Sequence, residues 1–117
     1  MDPGERNKRI ELQLGEPVGE DIVYYTDAVK TLYAKVVQIQ SYEAVRAGAI
    51  TMPDTIRVTI MYRKIKAEDY RLKYDGEIYN IEGAIDVDGR HEDLELTCTR
   101  ESHAAPAVER PEEEGGG

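Results

Sequence analysis

The side chains in this sequence that could carry a reaction or hold a metal are few: one cysteine, Cys98, two histidines, His91 and His103, and the acidic residues around Glu68-Asp69, Asp86-Asp88 and Glu92-Asp93. A thiol nucleophile needs a base beside it and a third group to orient that base. His91 and Cys98 are of opposite parity, and strand residues of opposite parity project from opposite faces, so the pair does not meet unless a bulge intervenes. Cys98 falls on the apolar side of its strand, where a lone cysteine serves as small core filler. The two histidines lack the spacing of a zinc pair. Asp86, Asp88 and Gly89 share part of a calcium loop, but that loop puts Gly at its sixth position and Glu at its twelfth, whereas Gly89 comes fourth. The paired acids flank strands, where solvated charge is expected and also blunts edge pairing. The residues therefore predict no enzyme, no catalytic or metal site and no cofactor.

The elements around these residues are strands. Ile56, Val58, Ile60 and Tyr62 alternate with Arg57, Thr59, Met61 and Arg63, the two-residue period of a strand buried on one face. Tyr70, Leu72 and Tyr74 repeat the pattern, and Asp75-Gly76 supplies a type I′ hairpin turn, whose two central residues both take positive φ. Glu77 to Gly83 leads to a second turn, Asp88-Gly89, and Leu94, Leu96 and Cys98 alternate with Asp93, Glu95, Thr97 and Thr99 beyond it. The stretch from Asp54 to Arg100 thus reads as an antiparallel hairpin meander.

Upstream, Ile10, Leu12 and Leu14 define a first strand that Gly15, Pro17 and Gly19 are expected to end. Ile22 to Tyr25 form a second, and Asp27 to Thr31 read as a turn. Leu32 to Gln40 is apolar on both faces, as in a strand buried on both sides. Ser41 to Pro53 breaks the rhythm: Ser41 could cap a short helical turn, limited by Gly48 and Pro53. A connection this long on a tight scaffold is a candidate working part.

The chain has 117 residues and a formal charge of −9, enough for one modest core. Such charge argues against binding nucleic acid by phosphate neutralisation and against an anionic membrane surface. No apolar run approaches the roughly 18 residues needed to span a bilayer, and the first residues lack a signal peptide's pattern. Eight Tyr with no Phe or Trp imply a thin core with aromatic residues at its rim. The expected fold is all-β: a small antiparallel β-barrel over residues 6–101, with a flexible start (1–5), one long loop, and a disordered acidic Pro- and Gly-containing tail (102–117). Basic residues cluster at Arg6, Lys8 and Arg9, and at Arg57, Arg63, Lys64, Lys66, Arg71 and Lys73 on polar strand faces. They form either a mixed solvated face or a surface complementary to an acidic one on another subunit.

The order of elements resembles the head-tail joining proteins of long-tailed bacteriophages, also called head-closure or stopper proteins. The resemblance rests on Arg9-Ile10, on Leu32-Tyr33-Ala34-Lys35-Val36, where a tryptophan-alanine strand is usual, and on Glu43. It rests further on Ile56-Arg57, Tyr62-Arg63, Arg71 to Gly76, Tyr79-Asn80-Ile81, Asp86, Asp88-Gly89-Arg90 and Leu94 to Cys98. It implies a virion protein of the phage neck, made in the host cytoplasm. The protein would form a homo-oligomeric ring of six subunits in preference to twelve, sealing the DNA exit channel after packaging and offering a surface for tail attachment. Its neighbours would be the portal-adaptor ring, a tail-terminator or tail-tube protein, and packaged double-stranded DNA passing without tight binding, with no membrane.

The channel loop would comprise Ser41, Tyr42, Glu43, Val45, Arg46, Gly48, Ile50 and Met52, with Gly48 as hinge. Arg6, Lys8 and Arg9 at one terminus and Glu112, Glu113 and Glu114 at the other would dock to adjacent rings. The competing readings are a binding module of OB or SH3-like type using tyrosines as a stacking surface, or another neck ring protein, an adaptor or a tail terminator.

Overall fold

The computed structural model describes residues 6–39 and 54–111. Six strands form it: β1 (Lys8–Val18), β2 (Asp21–Ile39), β3 (Thr55–Met61), β4 (Tyr70–Tyr74), β5 (Glu77–Asp86) and β6 (Asp93–Arg100). Every neighbouring pair is antiparallel, in the order β1-β2-β3-β6-β5-β4, and β4 returns to β1 to close the barrel. The two-residue period does the sorting. Ile10 and Leu12 of β1, Ile56, Val58 and Ile60 of β3, Leu72 of β4, and Leu94, Leu96 and Cys98 of β6 all point inward and are buried. Each fully buried aliphatic side chain contributes about 1.5–3 kcal/mol relative to exposure. Tyr79 of β5 joins this core rather than the rim.

The path around the barrel differs from a simple meander. β4, β5 and β6 follow one another by hairpins, but β3 pairs with β6, not with β4. The chain between β3 and β4 therefore passes across the barrel, through a short 3-10 turn at Ala67–Asp69. The wall is continuous all round. A closed barrel leaves no free edge within its wall, so copies of the chain cannot add to one another there by strand pairing.

Asp75 and Gly76 have φ of 52° and 80°, as the type I′ turn requires. Asp88 and Gly89 also have positive φ, but they belong to a 3-10 turn (Val87–Gly89) within a longer connection that ends at β6. Asp86 explains the extra length. Its carboxylate accepts the backbone N–H of His91 at 2.9 Å and meets His91 Nδ1 at 2.5 Å, bracing the connection from inside.

Three local expectations are overturned in the first half. Gly15 and Pro17 do not end β1, which runs to Val18 before turning at Gly19. Asp27 to Thr31 is no turn but the middle of the 19-residue β2. Turn-forming residues are tolerated there because pairing slips: Gln13 faces Val29, yet Gly15 faces Tyr24, so β2 carries several residues that β1 does not match. β2 is also not buried on both sides. Leu32 and Val36 pack on the core and Ala34 lies within it, whereas Tyr33 on the outer face is 65% exposed.

Candidate functional site

Beyond the register slip, the ends of β1 and β2 leave the barrel as a hairpin arm, Gly15 to Tyr24, with its tip at Gly19. Gly15 is required at its root: a Cβ there would stand 2.6 Å from Cγ2 of Ile22 and 3.1 Å from the Tyr24 ring. Two devices fix the arm's direction, one on each face.

The first is a strap from the tail. Tyr25 forms a parallel bridge with Val108, in which the Thr26 N–H donates to the Val108 carbonyl and the Val108 N–H to the Tyr24 carbonyl, both at 2.9 Å. Arg110 then grips the arm. Its Nε donates to Asp27 Oδ2 at 2.8 Å, Nη1 donates to Glu16 Oε1 at 3.2 Å, Nη2 pairs with Glu16 Oε2, and the guanidinium lies 4.1 Å from the centroid of Tyr25. The hydrogen bond from Arg110 holds the Asp27 carboxyl below its usual range, and the two carboxylates push the Arg110 guanidinium above its own. Val108 and Arg110 thus lay this part of the tail against β2; Glu112, Glu113 and Glu114 lie outside the described residues. Between strap and barrel a cavity of about 380 Å³ remains, lined by residues including Gln13, Lys73, Ile78 and Pro106.

The second device is Arg71. Expected on a solvated face, it is 5% exposed, because the arm covers it. Its Nε donates to the buried Gln13 Oε1 at 2.7 Å, and its guanidinium lies under the Tyr24 ring, 3.9 Å from the centroid. Nη2 is buried without a hydrogen-bond partner. Desolvation lowers the Arg71 pKa from its ordinary value.

On the opposite part of the wall, Tyr33 of β2 and Met61 of β3 are exposed at 65% and 63%. A groove of about 230 Å³ runs beside them, lined by Arg6, Leu32, Tyr33, Ile60, Met61 and Arg63. Arg9 faces Tyr33 in the β1–β2 register. Arg6 is held within the chain by an ion pair with Asp93 at 3.0 Å, whereas Lys8 and Arg9 are exposed. Farther along the wall, Arg57 pairs with Glu95 at 3.2 Å.

The residues considered for chemistry do not converge. Cys98 is buried in the core, and burial pushes its thiol up to about 12. His91 lies on the exterior, stacked on Tyr62 with ring centroids 4.4 Å apart. Among the described residues no group of three or more His, Cys, Asp and Glu side chains is placed to hold a metal ion, and no helix is long and apolar enough to cross a membrane.

The family model for the phage head completion protein matches residues 1–101. The chain belongs to the phage head completion protein family. The family is one of structural virion proteins. The fold is also similar to the solution structure of protein SF1141 from Shigella flexneri 2a, with a TM-score of 0.59 and 29% identity over 89% of this chain and 100% of that one. None of the curated proteins compared matches the chain.

For this head completion protein, the loop residues singled out from sequence, Ser41, Tyr42, Glu43, Val45, Arg46, Gly48, Ile50 and Met52, lie outside the described residues. Their anchors do not: Ile39 pairs with Thr55, and Thr55 with Thr99. Sequence reasoning missed the clamp made by Arg71, Gln13 and Tyr24, and the grip of Arg110 on Glu16 and Asp27. Each partnership joins residues 58 or more positions apart, except the stacking on Tyr24, and no local pattern announces it. The one available signal was Arg110 itself, a lone cation in an acidic tail.

Proposed function

We propose that this head completion protein assembles as a ring in the phage neck, six-fold in preference to twelve-fold, seals the DNA exit channel after packaging and offers the surface on which the tail is attached. The observation that carries this reading is the family match over residues 1–101. Two physical features support it. A closed barrel has spent its backbone edges internally, so contacts between copies fall to side-chain surfaces, which suit a head-to-tail ring. The segment between β2 and β3 starts and ends at the paired residues Ile39 and Thr55, so both of its ends sit together on a rigid wall, as a channel loop needs.

The blocking step is mechanical. Copies of the loop meet on the axis, and Tyr42, Val45, Ile50 and Met52 supply apolar contact between them. Release requires a polyanion to slide past. A net charge of −9 suits that step, because a wall that does not neutralise phosphates does not hold DNA by counterion release. The portal-adaptor ring lies on the head side and a tail-terminator or tail-tube protein on the other, with Lys8 and Arg9 and the acidic Glu112 to Glu114 as docking termini.

The test is deletion of Ala44 to Thr51 in a phage that carries this chain. Filled heads that lose their DNA after packaging are the expected result. Heads that incorporate the shortened chain and still retain DNA would overturn the loop's role.

A further inference from the structure

The tip of the arm and the groove beside Tyr33 are complementary in both apolarity and charge. At the tip, Val18 and Ile22 are 48% and 58% exposed. Ile22 faces Pro17 across the hairpin and Val18 faces Asp21, so the two aliphatic side chains stand on opposite faces, and the arm ends as a wedge with an apolar flank on each side. Glu20 and Asp21 at the apex are exposed. Arg110 neutralises Glu16 and Asp27 farther down, so the acid of the arm is concentrated at its end. The groove is the reverse: Leu32, Ile60, Tyr33 and Met61 line it with Arg63, Arg6 at its edge is already paired with Asp93, and Arg9 lies beside Tyr33.

We propose that the arm tip of one copy of this chain seats in the Tyr33–Met61 groove of the next, and that this contact closes the ring; the proposal rests on the neck-ring reading above. The arm cannot fill its own groove. Ile22 and Tyr33 lie on the same strand, separated by about 36 Å of extended chain. Donor and acceptor surfaces are therefore different patches, the condition for a heterologous contact that propagates from copy to copy. Ile22 and Val18 bury against Leu32, Tyr33 and Met61, while Glu20 and Asp21 meet Arg63. The two clamps, Arg71 under Tyr24 and Arg110 across Glu16 and Asp27, hold the arm in one direction before it binds, which lowers the ordering cost of the contact.

The test uses phage particles completed with the full chain carrying Ile22→Cys and Met61→Cys together, purified and treated with a mild thiol oxidant. Cys98 contributes no background, since it is fully buried and its thiol is pushed up to about 12. The expected result is a ladder of covalent oligomers under denaturing, non-reducing conditions from the double variant, and monomer from either single variant. A charge test accompanies it: Arg63→Glu should cut the ladder sharply, and adding Glu20→Arg should restore it. Particles that contain the double variant yet give only monomer overturn the arm-to-groove contact and leave the neck role standing. Absence of the chain from completed particles overturns both.

Discussion

Arg71 on the barrel and Tyr24 on the arm are stacked with 3.9 Å between guanidinium carbon and ring centroid, and this one contact joins the two parts of the molecule from beneath. A buried guanidinium is costly unless its donors are satisfied, and here Nε has Gln13 Oε1 while Nη2 has no partner. Gln13→Ala should therefore cost about 1–3 kcal/mol, since it removes the acceptor and leaves the cation buried. Replacing both groups with apolar residues, Arg71→Met with Gln13→Leu, should come within about 1 kcal/mol of the parent, because a buried charge and its partner can be exchanged for packing at little loss. Urea unfolding of the three proteins decides the matter; a double variant as unstable as the single one contradicts it.

The strap makes its own prediction. Truncation after Ala104 removes Val108 and Arg110 and should leave the barrel folded, because the buried core residues all belong to β1–β6 and none of the residues packed on them lies in the tail. The amide of Thr26 loses its acceptor on Val108, so its hydrogen exchange should rise while exchange in β3 and β6 is unchanged. Equal acceleration throughout would mean that the strap supports the core.

Acid should release the strap in the intact chain. Asp27 has its folded pKa depressed by Arg110, so the group's contribution is present above the ordinary carboxylate value of 3.8 and is lost as pH falls through the lower folded value. High salt should act in the same direction near neutral pH by screening these exposed pairs. Thr26 exchange at neutral pH in low and high salt, and strap signals followed by NMR during acid titration, read both effects.

Alkali should act on the core. The Cys98 thiol is pushed from an ordinary 9.0 to about 12 by burial, and burial also raises the Tyr79 phenol. Both groups are neutral when protonated, so their effect on stability is complete below the unfolded pKa and is lost as pH rises toward the folded one. Stability should fall between about pH 9 and pH 12, and Cys98→Ala should flatten that decline. At pH 8 the thiol is buried and held protonated in the fold, so Cys98 should resist alkylation until the protein is unfolded.

Two glycines should respond in opposite senses. Gly76 has φ +80°, and although a Cβ there meets nothing within 4 Å, Ala in that conformation should cost about 1 kcal/mol. Gly83 has an ordinary φ and open space around it, so Gly83→Ala should be neutral or should stabilise by up to about 1 kcal/mol through the unfolded chain. Thermal melts of the two single variants make the comparison.

Strand patterning by itself determined the inward set Ile56, Val58, Ile60, Leu72, Leu94, Leu96 and Cys98, the type I′ turn at Asp75-Gly76 and the all-β class. Each of these rests on neighbours two residues apart or on the φ preference of a single residue, both of which are local properties. Tertiary structure decided the rest. Whether β3 lies beside β4 or β6, whether the barrel closes, and whether Asp27 to Thr31 turns or continues β2 depend on register between distant strands, and a slip of a few residues at Gln13 and Gly15 leaves no local mark. Arg71 and Arg110 are ordinary surface cations by pattern. They become clamps only because the arm folds over one and the tail brings the other to Glu16, two placements set by chain path rather than by residue type.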